Sequence, residues 1–196
     1  MLREGEVLLP VKSRQELRDW LAAHSTTEKY CWIIISRKPK PNTILYLDAV
    51  EEALCFGWID GMNKKYSETE LAQRLSPRQK KGNWTELNKE RVRRLDRLGL
   101  MTDEGRKCLP DMSPKSFKIH PRILRALKKD PAVYEKFITF PELYQRVRID
   151  TIQSELKYNH PDSFKSRLKK LIEYTKNGKM YGDWHDDGRL IEDTAT

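Results

Sequence analysis

The stretch Glu51-Glu52-Ala53-Leu54-Cys55-Phe56-Gly57-Trp58-Ile59-Asp60-Gly61 changes its period within a few residues, and the change falls at Gly57. Before it, Val50, Ala53, Leu54 and Phe56 lie mostly on one helical arc. After it, Trp58, Ile59, Asp60 and Met62 read as a short strand with Trp58 and Asp60 on one face. Glycine at 57 suits the end of a helix, and glycine at 61 suits a bent strand or the close approach of another backbone.

Upstream, Ser13-Arg14-Gln15-Glu16 matches a capping box and predicts a helix to about residue 24, with Leu17, Trp20 and Leu21 on its core stripe. Residues 30–36, rich in β-branched and aromatic side chains, predict a central strand. The segment 43–47 leads into a helix over 48–56, with Asp48 as N-cap and Glu51 and Glu52 in the first turn, where carboxylates suit the helix dipole. Downstream, 58–66 and 70–76 predict a hairpin, followed by a basic loop over 78–82.

A further helix is expected over 83–98, stopped by Gly99. At 100° steps Trp84, Leu87, Val92, Leu95 and Leu98 share a broad arc, and Asn88 and Arg91 fall inside it. Two inward-facing polar groups need partners, because a buried amide or guanidinium is costly without them. A short helix should follow from 101 to near Pro110. Turn composition marks 111–117 as a linker, after which the chain reads helical over 121–129, from Asp130-Pro131, over 141–157 and over 161–176. The polar and acidic residues 183–196 read as a flexible tail. The expectation is an α+β domain over 1–110, with a small, mainly antiparallel sheet packed on helices, followed by an all-helical C-terminal module over 118–182.

A formal net charge of +9 over 196 residues favours anionic partners, although a solvated basic face explains it as well. The densest clusters are Arg78, Lys80 and Lys81; then Arg91, Arg93, Arg94 and Arg97; then 165–170. No run approaches the roughly 20 apolar residues that cross a bilayer, and Met1 to Glu6 has no apolar signal region, so a cytoplasmic protein is expected. Cys31, Cys55 and Cys108 are odd in number and flanked by apolar residues, which predicts buried reduced thiols.

The 51–61 stretch, Arg74-Leu75-Ser76-Pro77-Arg78, Asn83-Trp84, Asn88 and Arg91-Val92 together resemble the YdeI/OmpD-associated family, also called bacteriocin-protection proteins. Residues 130–179 are similar to that family's C-terminal helical module, so the resemblance covers about residues 10–180. Arg148-Ile149-Asp150-Thr151-Ile152 stands where the module typically has an aromatic-Trp-Ile segment. The resemblance implies a role in resistance to bacteriocins and cationic antimicrobial peptides, with no settled reaction.

Trp58, Asp60, Arg74, Arg78, Asn83, Trp84, Asn88 and Arg91 form the candidate ligand-binding constellation. With the hairpin packed on the 83–98 helix, Asp60 and Arg91 could form a charge-assisted pair. Such a group is either a satisfied network fixing helix on sheet, or an aromatic-walled pocket whose Arg74 and Arg91 hold a carboxylate or phosphate. A buried arginine with no carboxylate partner would favour the pocket. Tyr66, Arg74, Arg78, Lys80, Lys81 and Trp84 also imitate a nucleic-acid footprint.

Catalytic motifs are absent: no G-x-S-x-G, P-loop, H-E-x-x-H, paired-cysteine motif or dinucleotide fingerprint occurs. His24, His120, His160 and His185 are scattered, and no cofactor or metal is expected. The sequence thus predicts a non-catalytic binding protein for an anionic or peptide-like ligand. A nucleic-acid-binding module and an enzyme of unrecognised type are the competing classes.

Overall fold

The computed structural model describes residues 6, 8–79 and 82–191. Lys80 and Lys81 of the basic loop, and residues 192–196 of the expected tail, lie outside the described residues. The chain divides into two compact units. The first takes the chain up to Asn83 together with Val92–Pro110; the second takes Trp84–Arg91 and the chain from Asp111 onward.

The first unit is α+β. Its elements are α1 (Arg14–His24), β1 (Cys31–Ser36), β2 (Ile44–Leu45), α2 (Tyr46–Cys55), β3 (Trp58–Lys65) and β4 (Leu71–Pro77), then the second half of α3 (Glu86–Arg97) and α4 (Asp103–Arg106). The four strands form one sheet in the order β2-β1-β4-β3. β1 pairs parallel with β2 and antiparallel with β4, and β3 and β4 make the expected hairpin. Gly57 ends α2 as expected: its φ is +74°, its N–H donates to Leu54 O, and a Cβ there would sit 3.1 Å from Glu104 O. The register of β3 on β4 slips between Asp60 and Asn63, which places Gly61 in a bulge. The buried Gln73 side chain donates to the Gly61 and Met62 carbonyls and so satisfies the bulged backbone.

Two details differ from expectation. α2 begins at Tyr46, so Asp48 is no N-cap and Glu51 and Glu52 lie mid-helix. Both glutamates are 1% exposed. They are neutralised by Arg14, which reaches Glu51 at 2.7 Å and Glu52 at 2.6 Å, by Arg18 on Glu52 at 2.8 Å, and by Arg94 on Glu51 at 3.2 Å. Leu98, placed on the core arc by its spacing, is exposed where α3 ends, whereas Val92 and Leu95 are buried.

The second unit is helical: the first half of α3, a short 3₁₀ turn at Pro114–Ser116, then α5 (Pro121–Lys128), α6 (Pro131–Ile138), α7 (Glu142–Lys157) and α8 (Pro161–Lys176). Its core joins Ile123, Leu127, Phe137, Tyr144, Ile152 and Phe164 with Leu171 and Trp184. The domain boundary expected at residue 110 therefore has an exception, because Trp84–Arg91 belongs with the later helices. The tail expected from residue 183 is also corrected. Trp184, Asp186 and Leu190 are 7%, 1% and 3% exposed, so these side chains anchor the stretch 183–191, while Asp183, Asp187 and Ile191 stay exposed. Burial of an indole and an aliphatic side chain outweighs the polar composition that suggested a loose end.

Candidate functional site

Of the expected constellation, Trp58, Asp60, Arg74, Arg78 and Asn83 belong to the first unit, and Trp84, Asn88 and Arg91 to the second. Trp58 is buried, donates from Nε1 to Ser25 O at 3.0 Å and meets Trp20 edge to face with ring centres 5.8 Å apart. Asp60 accepts from the Tyr46 hydroxyl at 2.7 Å, and the Arg74 guanidinium lies over the Tyr30 ring at 4.5 Å. Arg78 donates from Nη1 to the carbonyl of exposed Asn83 at 3.2 Å, and burial pushes its guanidinium below the usual arginine range. Trp84 is half-buried at the start of the second unit's share of the chain.

Arg91, in the half of α3 that belongs to the second unit, takes Asp186 as its carboxylate in place of the expected Asp60. Nε donates to Oδ2 at 2.6 Å and Nη2 to Oδ1 at 2.8 Å, a bidentate fork. Nη1 donates to Asn88 Oδ1 at 2.7 Å. The two inward-facing polar groups of α3 thus do find partners, and the arginine's charge is met by a carboxylate of the fold. The carboxylate lies 95 residues away, in a stretch whose polar composition predicts a loose tail, so spacing along α3 does not reveal it.

A second buried arginine has the opposite character. Arg148 of α7 is 8% exposed and lies on one helical stripe with Tyr144 and Ile152. Its Nη2 donates to Asp183 O at 2.7 Å, its Nε has no hydrogen-bond partner, and among the described residues no carboxylate pairs with it. The guanidinium lies 5.0 Å from the Tyr181 ring centre. Gly182 (φ +70°) lets the chain pass this close, since a Cβ there would sit 2.8 Å from Arg148 Nη1.

Arg148 lines a cavity of about 190 Å³ with Thr151 and Ile152 of α7, Arg167 and Lys170 of α8, and Tyr181. Lys170 Nζ stands 4.8 Å from the Tyr181 ring centre. Arg167 donates to Thr151 O at 3.1 Å and pairs with Glu155 at 3.3 Å. Burial raises the Tyr181 phenol above its ordinary range, so its hydroxyl is protonated at neutral pH and can donate. One deeply buried cation, two at the rim and a phenol therefore converge on one small space. Arg167 and Lys170 come from the basic run noted at 165–170. Arg148 was visible only as the departure from the helical-module pattern, and an arginine on an apolar stripe was the signal for it.

Cys31 and Cys55 thiols are both pushed up to about 12 by burial, which leaves no thiolate nucleophile there at neutral pH. His185 Nδ1 accepts from Gly188 N at 2.8 Å. Among the described residues, no group of three or more His, Cys, Asp or Glu side chains could hold a metal ion. No helix among them is long and apolar enough to cross a membrane.

Residues 9–108 match the family described as a domain of unknown function, DUF8412. The chain belongs to the DUF8412 family. The match spans α1 to α4, with the buried Glu51 and Glu52 cluster and the Gly57 switch inside it; the Arg148 cavity lies beyond it. No curated protein and no solved structure matches the chain.

Proposed function

We propose that this DUF8412 protein is a non-catalytic binding protein for a small anionic ligand, held in the cavity of Arg148, Arg167, Lys170 and Tyr181. The observation that supports this most is the contrast in pairing at Arg148. A guanidinium is rarely taken out of water without a carboxylate, because the desolvation penalty is several kcal/mol, and a bound anion would supply the missing charge. The constellation around Trp58 and Arg91 is read as a satisfied network, with Trp58 held by the Ser25 carbonyl and Arg91 by Asp186 and Asn88. A cytoplasmic setting, in keeping with three free thiols, and a bacterial stress or antimicrobial-peptide resistance role, drawn from the YdeI/OmpD resemblance, belong to the same proposal.

A thermal-shift series with millimolar phosphate, sulfate, citrate and acetate tests it. An anion that binds the folded state alone raises the melting temperature, by about 2.7 kcal/mol of stabilisation at 100 times its Kd. At least one anion should do so in the native protein and none in Arg148→Met. No shift with any anion, or an equal shift in Arg148→Met, overturns the reading.

A further inference from the structure

Resting on that reading, we infer that the Arg148 cavity selects a dianionic tetrahedral group, and that its ligand is a small phosphate monoester. The charge on the cavity wall leads there. Arg148, Arg167 and Lys170 bring three positive charges. Glu155, 8% exposed, holds Arg167 through Oε1 at 3.3 Å and His160 through Oε2 at 3.3 Å, so Arg167 arrives already neutralised. Of the nearby acids, Asp186 is paired with Arg91, and exposed Asp183 keeps its charge but turns Oδ1 to the Asp186 N–H and only its backbone carbonyl to Arg148. Among the described residues neither Arg148 nor Lys170 makes an ion pair, so two positive charges without a carboxylate in contact line the space, and a monoanion such as a carboxylate or a phosphodiester would match one of them.

Donor geometry agrees with the charge. Arg148 offers a planar fork, Lys170 a point charge and Tyr181 a hydroxyl, three donor types from three chain segments that line one space, a set that suits the several oxygens of a tetrahedral group. A carboxylate holds its two oxygens in one plane, so it meets three donors from different directions less evenly than a tetrahedral group does. The volume, about six times the share of one liquid water molecule, holds more than a bare oxyanion. Ile152 and the Tyr181 ring give the remainder an apolar wall, which suits a short carbon chain or ring carried by the phosphate.

Calorimetric titration of the full chain at pH 8 and fixed ionic strength tests this with phenyl phosphate, inorganic phosphate, dimethyl phosphate and acetate. Phenyl phosphate should bind about tenfold or more tightly than dimethyl phosphate and acetate, the weight of one unmatched charge at a partly buried site. It should also exceed inorganic phosphate, through contact with the apolar wall. Lys170→Gln, a surface substitution that leaves the fold intact, should remove most of the preference for the monoester over the diester. Equal binding of all four anions, or a preference unchanged in Lys170→Gln, overturns the dianion assignment while leaving anion binding standing. Phosphate matching phenyl phosphate overturns the monoester. Absence of any binding overturns both this inference and the reading beneath it.

Discussion

Arg91 and Arg148 are each 8% exposed and both belong to the second unit, yet their surroundings are opposites. Arg91 meets a carboxylate in a two-point fork and an amide oxygen besides. Arg148 meets one carbonyl and two aromatic faces. Burial alone therefore says little about what a charged side chain is for. What separates the two arginines is whether the fold itself supplies a carboxylate as counter-charge.

Breaking the two sites in turn should give unequal losses. Asp186→Ala strands Arg91 without its carboxylate, which costs about 3–5 kcal/mol for a buried pair cut on one side. Arg148→Met removes a charge that strands no carboxylate, takes a donor only from the carbonyl of exposed Asp183, and puts a flexible apolar chain in its place, so without added anions stability should change by less than about 1 kcal/mol in either direction. Urea denaturation in an anion-free buffer measures both. A loss at Arg148→Met as large as that at Asp186→Ala would make the second arginine structural too and dissolve the contrast.

A gentler perturbation acts on the cavity from its wall. Gly182→Ala puts a methyl group 2.8 Å from Arg148 Nη1 and forces an L residue to φ +70°. The left-handed backbone alone costs about 1–2 kcal/mol. Because the guanidinium must also move, anion affinity should fall by more than the stability loss explains. A variant that loses stability yet binds the anion as before would show that the close approach at Gly182 does not position Arg148.

The legibility of these features followed the distance over which each is encoded. The switch at Gly57, the central strand and the hairpin depend on neighbours a few residues away, and period and glycine placement revealed them. Small errors of local reading arose where a distant partner intervened. Glu51 and Glu52 looked like first-turn acids but are buried because Arg14 and Arg18 of α1 neutralise them. The inward turn of Asn88 and Arg91 was legible, but the identity of the carboxylate was not, since Asp186 lies in a stretch whose polar composition masked Trp184 and Leu190. Arg148 needs α7, α8 and the Tyr181 segment to be assembled before its cavity exists, and helical spacing within α7 alone shows just the apolar stripe it interrupts.

The smallest expected effect concerns a third partly buried charge of the second unit, and it completes the comparison. Asp150 Oδ2 accepts from Glu86 N, the first amide of α3, at 2.9 Å. A carboxylate there gains from the helix N-terminus and from Lys89 and Lys157, but burial outweighs them, with Glu86 adding repulsion, so its pKa is raised. For an acid whose folded pKa exceeds its unfolded one, the stabilising contribution is full below the unfolded pKa and is lost as pH rises through the folded pKa. Ionised Asp150 is thus a modest cost at neutral pH. Asp150→Asn keeps an oxygen to accept from Glu86 N and never ionises. Its urea midpoint should lie slightly above that of the native protein at pH 7, and the gap should close as pH falls through the carboxylate range near 4. A midpoint below native at pH 7 would mean that the helix terminus and the lysines supply the counter-charge in full, placing Asp150 with the paired Arg91 and not with Arg148.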